Sequence, residues 1–331
     1  MRRRDGFSLT ESLALAAVAV AAAVAVVVLL RTDVRGTSGS GLGKDFTYDV
    51  SAFRKVDPAL VKYRQVRSIP VGLDDVGGLA RDGAGRLYVA ADGKVRILDP
   101  GGAVLSDIAV GGRARCVAVD ADGTLFVGVF DHIEVYGPKG KLKARWEPPD
   151  VAAFITGVAL GEKDVFAIDA EGATLYRYDR SGKLLGRIGR KDPERNIPGL
   201  VFPSLHGDVA VGPEGLVWVT DPGRHRVEGY TPDGDLEVHW GKRGFGIEGF
   251  CGCCNPTNLA ILSEGLFVTS EKGIPRVKVC DLEGKVVAVV APPEAFDEDA
   301  TDLDLATDPE GRIYVLDPTT STIRVFERSE Q

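Results

Sequence analysis

Apolar and polar residues alternate along short segments of the chain from residue 62 onward, which is typical of β-strands with one buried face. A three-residue apolar core recurs six times, and a two-residue apolar step precedes each core by seven or eight residues. Asp- and Gly-rich turns separate the segments and supply the unusual backbone angles that tight turns need. The cores are Leu87–Val89, Leu125–Val127, Val165–Ala167, Val217–Val219, Leu266–Val268 and Ile313–Val315.

Each core is also followed by a third and usually a fourth strand. Four short strands in a unit that repeats about every 40–50 residues are typical of a β-propeller blade. The pattern therefore predicts an all-β fold, a six-bladed β-propeller. The last unit stops after its third strand at Phe326, and residues 62–71 form a lone strand before the first unit. Pairing of these two strands would close the ring and remove its exposed edges.

Two further patterns link the repeat to a known family. The first is the sequence Gly-Arg-Leu-Tyr-Val at Gly85–Val89, which recurs as Gly-Arg-Ile-Tyr-Val at Gly311–Val315. With the spacer between predicted blades four and five, it resembles the NHL-repeat family of six-bladed propellers, whose motifs specify fold well and function poorly. The spacer residues are Gly241, Gly244, Gly249, Phe250 and Pro256. In the family two residues separate the Phe from the Pro, whereas five do so here.

The N-terminus has the pattern of a membrane anchor. Arg2–Arg4 precede an uncharged apolar run at residues 13–30, which as a helix would be roughly 27 Å long, close to the thickness of the bilayer core. The arginines favour the cytoplasmic side, so the remainder is expected on the extracytoplasmic side of the membrane. The predicted organisation is a leader and transmembrane helix at 1–30, a flexible linker at 31–61 and the propeller at 62–331.

The leader allows a second interpretation. Gly6, Phe7 and Glu11, placed before the apolar run, resemble a prepilin-type leader, in which a peptidase cleaves after the glycine and the glutamate is retained. Thr10 departs from that pattern, because the position is usually apolar. A plain, uncleaved signal anchor is the alternative.

Composition and motifs narrow the function classes. The net charge of −8 and pI near 5.2 disfavour nucleic acid as a partner. The chain lacks a Gly-x-Ser-x-Gly elbow, a His-Glu-x-x-His motif and a phosphate-binding Walker loop. The leading hypothesis is a membrane-anchored scaffold that binds a protein or a small molecule. A lyase or lactonase of similar fold is a further alternative, although the calcium-binding relatives use Glu, Asp and Asn, and only three asparagines occur here.

Three of the five cysteines, Cys251, Cys253 and Cys254, lie within the lengthened spacer. Outside the cytoplasm, Cys254 could form a disulfide with Cys251 or with Cys253. Alternatively, the thiolates could bind zinc, copper or another soft metal, with His206, His225 or His239 as a further ligand. The third possibility is thiol–disulfide or electron-transfer chemistry, with Lys272 or Arg276 lowering a cysteine pKa. The sequence leaves these three possibilities open.

One face of the predicted propeller concentrates the candidate chemistry. The two long insertions, at residues 189–205 and 241–258, both connect one blade to the next and therefore emerge on the same face. The four histidines map to this face as well. Further binding candidates beside the cysteines are Asn255, Asn258, Glu271, Lys272 and Arg276.

Overall fold

The structure, a computed structural model, describes residues 49–147 and 152–329, which form antiparallel β-sheets with little helix. A single helical turn, α1, spans Ser51–Arg54, and short 3-10 turns occur at Pro58–Leu60 and Pro293–Ala295. The strands are numbered in chain order, and all of them belong to the compact unit Val50–Gln331.

Three sheets each contain four consecutive strands that run from the inner to the outer edge of a blade. Tight antiparallel turns join the strands, so each sheet is built locally from one sequence repeat. The first has β8 (Ile155–Leu160), β9 (Asp164–Asp169), β10 (Thr174–Asp179) and β11 (Leu184–Ile188); the second has β12 (Val209–Val211), β13 (Val217–Asp221), β14 (Arg226–Tyr230) and β15 (Leu236–Trp240); the third has β16 (Asn258–Ile261), β17 (Phe267–Glu271), β18 (Arg276–Cys280) and β19 (Val286–Ala291).

A fourth sheet joins the two ends of the propeller. It consists of β20 (Asp304–Thr307), β21 (Ile313–Asp317), β22 (Thr322–Arg328) and, on its outer edge, β1 (Tyr63–Pro70). β1 pairs antiparallel with β22, with Ile69 opposite Ile323. The predicted closure of the ring by the lone first strand is confirmed.

The remaining sheet corrects the predicted blade number. It contains six strands: β2 (Gly78–Arg81), β3 (Leu87–Leu98), β4 (Val104–Val119), β5 (Leu125–Val129), β6 (His132–Tyr136) and β7 (Leu142–Trp146). The described residues therefore form five sheets, and the prediction of six separate blades is wrong: this part of the chain is a five-bladed β-propeller.

The physical reason lies in the connection at residues 110–113. The sequence pattern places a loop there, between the first two repeats, but β4 continues through it and pairs with β3 on one side and with β5 on the other. Within the connection Arg113 lies opposite Asp92, and the Gly111 amide donates to Glu134 Oε2 at 2.9 Å. The pairing with β3 is irregular between Ala109 and Arg113, but β4 runs on through the connection and joins the two repeats in one sheet.

The predicted membrane helix at residues 13–30, and the leader residues Gly6, Phe7 and Glu11, lie outside the described residues. Within the described ranges, no helix has the length and apolar character needed to cross a bilayer.

Large side chains fill the space between neighbouring sheets. Trp218 on β13 is 1% exposed and meets Phe267 on β17 edge to face, with ring centroids 4.5 Å apart. Trp240 meets the same Phe267 ring at 5.3 Å. Such aromatic pairs contribute dispersion and quadrupole attraction beyond their burial. They fix the second sheet against the third, and the loop with Cys251, Cys253 and Cys254 connects these two sheets.

The two faces of the propeller differ. On one, short turns are stabilised by their own aspartates: the Asp82 carboxylate accepts the Arg86 amide and the Tyr88 hydroxyl, and Asp308 does the same with Arg312 and Tyr314. On the other face lie the loops at 189–208 and 241–257 with the connections at 130–131, 222–225 and 272–275. We call this second side the loop-rich face.

Candidate functional site

The loop at 241–257 contains Cys251, Cys253 and Cys254, and we call it the cysteine loop. Three charged side chains are fully buried beneath it: Glu271 at the end of β17, and Arg276 and Lys278 on β18. The Arg276 guanidinium donates to both Glu271 carboxylate oxygens, at 2.7 and 3.0 Å, and Lys278 Nζ lies 3.0 Å from Glu271 Oε1. Burial opposes ionisation of the carboxyl, but the charges of Lys278 and Arg276 hold the pKa of Glu271 below its usual value. We call these three residues the anchor cluster.

The anchor cluster fixes the backbone of the loop at 241–257. Arg276 donates to the carbonyls of Gly246 and Gly249, both at 3.0 Å, and Lys278 also donates to Gly249 at 2.8 Å. In return, the Cys251 amide donates to Glu271 Oε2 at 3.2 Å. Because buried charges are tolerated only when paired and hydrogen-bonded, each loop carbonyl has a defined position. The cluster therefore shapes the loop and offers no charge to a ligand.

The position of Glu271, at the end of the second strand of its sheet, has counterparts in two other sheets. Asp169 ends β9 and accepts the Phe154 amide at 2.8 Å, and Asp221 ends β13 and accepts the Val201 amide at 3.1 Å. Glu271 is the third acid at the end of a second strand that binds the preceding inter-sheet loop. Glu271 and Arg276 were binding candidates in the sequence, but the structure places both in a supporting role. The recurring acid was the sequence signal for that role.

The three cysteines of the loop have different surroundings. Cys251 and Cys254 are 2% and 3% exposed, whereas Cys253 is exposed. The Cys253 and Cys254 Sγ atoms lie 2.9 Å apart. Cys251 Sγ instead donates to the Lys272 carbonyl at 3.5 Å. The structure thus brings together the two adjacent thiols and holds the third apart in its own hydrogen bonds.

Asn255 organises the same loop from inside. Its Nδ2 donates to the carbonyls of Cys251 and Lys272, at 2.7 and 2.9 Å, and its Oδ1 accepts the Lys272 amide at 2.9 Å. Asn255 is 1% exposed, and a cis peptide bond joins it to Pro256. The amide group is therefore committed to the loop backbone, and Asn255 is not placed to bind a ligand.

The histidines do not converge on the thiols. His225 Nε2 donates to the Gly252 carbonyl at 2.8 Å, His206 Nδ1 bonds Asp302 at 2.8 Å, and His239 is exposed on β15. Within residues 49–147 and 152–329, no group of three or more His, Cys, Asp or Glu side chains is placed to hold a metal ion. The side chains proposed for zinc or copper do not fit such a site in this arrangement.

The thiols also lack the expected activation. The hydrogen bond with Cys254 raises the pKa of Cys253, and burial raises the pKa of Cys251, which the nearby Glu271 charge raises further. The positive charge of Lys272 lowers the pKa of Cys253, and that of Arg276 lowers the pKa of Cys251, but both pKa values remain raised. At neutral pH both groups are therefore thiols rather than thiolates.

A second polar site lies where the innermost strands begin around the central channel, on the loop-rich face. Asp208 accepts the amide of Leu259 at 2.9 Å, and Asp304 accepts the amide of Leu79 at 2.5 Å, so each carboxylate joins two neighbouring inner strands. Asn258, another binding candidate, donates to Asp304 Oδ1 at 3.3 Å. Further lining residues are Arg115, Cys116, Thr156, Leu205 and Asp302.

The carboxyls of the channel mouth fall into two electrostatic classes. Asp302 is bonded to Arg115 at 2.9 Å and to His206 at 2.8 Å; although burial opposes ionisation, these partners keep its pKa low. Burial raises the pKa of Asp208 to about 7. Burial, with the charge of Asp208, also raises the pKa of Asp304. Near neutral pH the mouth therefore holds both ionised and protonated carboxyls.

An exposed aromatic edge borders this mouth. Phe130 is 54% exposed and has a positive φ of 52°, and its ring meets Phe154 edge to face at 5.2 Å. The Arg115 guanidinium lies 5.9 Å from the centre of the Phe154 ring. Leu205 is 40% exposed and also lines the mouth. None of these residues was a candidate in the sequence, because no local pattern distinguishes them from other loop residues.

The cysteine loop and the channel mouth belong to one surface. Lys272 Nζ donates to Ser204 Oγ at 3.1 Å and so connects the 272–275 turn beside the cysteines with the loop at 189–208. His206, two residues farther on, reaches the channel through Asp302. Lys272 is the sequence-predicted binding candidate that remains partly exposed on this surface.

Comparison with known proteins gives the class of the fold. No protein-family model and no curated protein matches the chain, so the NHL resemblance stays a prediction. Among solved structures, the chain is similar to virginiamycin B lyase from Staphylococcus aureus, with a TM-score of 0.59, 11% identity and coverage of 81% of this chain and 100% of that one. A streptogramin B lyase structure is similar as well, with a TM-score of 0.58, 11% identity and coverage of 82% of this chain and 100% of that one.

A chain of the mitotic checkpoint complex is also similar, with a TM-score of 0.58, 12% identity and coverage of 84% of this chain and 95% of that one. Proteins as different as these lyases and a chain of the mitotic checkpoint complex share the β-propeller architecture. At these identities the similarity defines the protein as a β-propeller and carries no activity with it.

Proposed function

We propose that the propeller is a binding module whose ligand, a protein segment or a small molecule, occupies the mouth of the central channel on the loop-rich face. The observation that carries this proposal is Phe130, a bulky, exposed residue held at a φ of 52° beside that mouth. The left-handed conformation costs such a residue about 1–2 kcal/mol. Strain of this kind persists where surrounding structure enforces it, and it clusters at ligand-binding sites.

The surroundings of Phe130 suggest the chemistry of the ligand. Leu205 offers apolar surface at the mouth, and the Phe130–Phe154 pair adjoins it through Arg115. Arg115 and the channel carboxyls offer charged groups. Binding sites commonly combine apolar walls with a few fixed polar groups. We therefore expect a ligand with an apolar group for the rim and a polar or charged group that enters the channel.

Site-directed photo-crosslinking tests the proposal. A benzoyl-phenylalanine at position 130 of the full chain, irradiated in extract of the source cells, should capture a discrete partner. The matched control is the same residue at Leu282, which is 51% exposed on the opposite face. Leu205→Asp should abolish capture from position 130. Identical products from both positions, or capture that Leu205→Asp leaves unchanged, would contradict the proposal. Native mass spectrometry of the purified protein reports a bound small molecule.

A second candidate function is general acid–base catalysis at the same mouth. It is favoured by Asp208, whose pKa of about 7 matches the range in which a group can both donate and accept a proton. Among the structural neighbours is an inactive virginiamycin B lyase variant with quinupristin, at 12% identity and a TM-score of 0.57. Incubation with quinupristin, followed by mass spectrometry, tests this candidate: turnover that Asp208→Asn abolishes would support it, and no turnover would remove that substrate.

The location of the propeller is a separate proposal. We expect it on the extracytoplasmic side, because Arg2–Arg4 precede the apolar run at residues 13–30. An alkaline phosphatase fused to the C-terminus folds actively only outside the cytoplasm, so an active fusion supports this location. An inactive but intact fusion would place the propeller in the cytoplasm.

A further inference from the structure

We propose that Cys253 and Cys254 are a redox-modification site, which an external disulfide converts to a disulfide between these two adjacent residues while Cys251 stays reduced. This inference is independent of the proposed binding function. It decides between the pairings that the sequence leaves open for Cys254.

The first argument is the separation of the sulfurs. Cys253 Sγ and Cys254 Sγ are 2.9 Å apart, so a bond of about 2.05 Å requires them to approach by only about 0.9 Å. Rotation of the Cys253 side chain can supply this movement, because that side chain is exposed at the surface of the loop. The approach therefore needs no rearrangement of the core.

The second argument is that Cys251 is held away from such a reaction. Its amide is bound by Glu271, its carbonyl by Asn255 at 2.7 Å, and its thiol by the Lys272 carbonyl at 3.5 Å. A disulfide with Cys254 would break the thiol contact and pull on a backbone fixed at both ends. The other two cysteines, Cys116 and Cys280, are buried in the channel wall and in β18.

The third argument is the difference in access. Cys253 is exposed and can meet an external disulfide, whereas Cys254 is 3% exposed and can react only within the loop. The Cys253 thiolate attacks one sulfur of the reagent RSSR, the reagent bond breaks, and RSH leaves with a proton. Cys254 then loses its proton and attacks Cys253 Sγ, which releases the second RSH. Two thiols and RSSR thus give one disulfide and two RSH.

The reaction should be slow at neutral pH and faster in mild alkali. The hydrogen bond with Cys254 raises the pKa of Cys253, so the reactive thiolate is scarce at pH 7. The anchor cluster and Asn255 hold the rest of the loop, so oxidation should change the exposed tip and leave the fold intact. The surface of the loop-rich face at Cys253 and Cys254 would therefore differ between oxidising and reducing surroundings.

Thiol counting with mass spectrometry tests the inference. The reduced full chain is treated with oxidised glutathione at pH 8, quenched, denatured and alkylated. Wild type should fall from five alkylated cysteines to three, with Cys251 among the alkylated ones and no glutathione retained. Cys251→Ser should lose two thiols as wild type does. Cys254→Ser should instead keep a stable glutathione adduct on Cys253, and Cys253→Ser should lose none.

The buried cysteines outside the loop provide the control variants. Cys116→Ser and Cys280→Ser should behave as wild type, apart from the thiol that each lacks. Retention of all five thiols, a disulfide that includes Cys251, or a glutathione adduct that persists on wild-type Cys253 would each overturn the inference. Circular dichroism of every variant before treatment shows that the thiols are compared in the same fold.

Discussion

Phe130 illustrates how one residue can carry both strain and exposure. The residue lies between β5 and β6 at a φ of 52°, and more than half of its side chain faces solvent, so packing gives little in return for the strain. Glycine adopts this backbone region without the Cβ clash. Phe130 therefore costs stability that a binding role would explain.

We predict that Phe130→Gly is more stable than Phe130→Ala by about 1 kcal/mol. Both variants lose the ring contact with Phe154, so their difference isolates the backbone strain. The measurement is the free energy of unfolding in urea for each variant. Equal stabilities, or a more stable alanine variant, would show that position 130 is not strained.

The channel carboxyl Asp208 makes a second prediction at the residue scale. Its pKa is raised in the folded protein to about 7, above the ordinary 3.8, so between these values the folded state binds more protons than the unfolded state. Stability contributed by the protonated carboxyl is present at low pH and is lost as pH rises through 7. The loss at this site can reach about 4 kcal/mol, because each pKa unit corresponds to about 1.36 kcal/mol.

Asp208→Asn should remove this dependence, so the difference between its free energy of unfolding and that of wild type should increase from pH 4 to pH 8. Asp122, on an exposed turn of the opposite face, is the matched control, because hydrogen bonds from Thr124 lower its pKa. Asp122→Asn should show a weak dependence of the opposite sign. A wild-type profile that parallels Asp208→Asn would contradict the raised pKa.

At the scale of single elements, the anchor cluster shows what the sequence can and cannot reveal. The alternation that predicts β18 also places Arg276 and Lys278 on one side of the strand, where a charged surface is the ordinary expectation. Their burial depends on the carbonyls of a loop about 30 residues earlier in the chain, and no local pattern encodes that contact. The strands were predictable, whereas the role of these charges required the tertiary structure.

The same limit applies to the number of blades. The apolar pattern located the strand cores to within one residue, but the connection at residues 110–113 is decided by pairing. Arg113 lies opposite Asp92, and Glu134 binds the Gly111 amide, so β4 continues where the repeat pattern places the boundary between two blades. Long-range partners, rather than propensity, set this boundary.

Neutralising the acid of the anchor cluster should be severe. Glu271→Gln leaves Arg276 and Lys278 buried together without a counter-charge, which should cost about 3–5 kcal/mol of the free energy of unfolding. Lys278→Met keeps the Glu271–Arg276 pair and should cost less. Because the Cys251 amide loses a charged acceptor, Cys251 should also be alkylated faster in native Glu271→Gln.

Urea unfolding and timed alkylation of the native protein measure these two effects. Glu264→Gln is the control, since this exposed acid lies on the turn between β16 and β17 of the same sheet and should change stability by less than about 0.5 kcal/mol. A Glu271→Gln variant as stable as Glu264→Gln would mean that the buried charges do not hold the loop.

At the scale of the whole molecule, stability depends on how the ring is closed. The outer edge of the last sheet comes from β1, at the opposite end of the propeller sequence, and this pairing was predictable because one end lacked a strand and the other had one in excess. Ile69 of β1 is 3% exposed and packs in a core that includes residues of β2, β3, β21 and β22. The strand therefore connects the first and last sheets.

We predict that Ile69→Ala lowers the free energy of unfolding by about 2–4 kcal/mol, as expected for a buried isoleucine, while the single transition and its denaturant dependence are preserved. Val66 on the same strand is 37% exposed, so Val66→Ala should change stability far less. Hydrogen exchange should show faster opening throughout the sheets, because a ring sealed by β1 opens as a unit. Faster exchange confined to Tyr63–Pro70, with unchanged global stability, would mean that β1 is a detachable edge and that the remaining strands hold the propeller together without it.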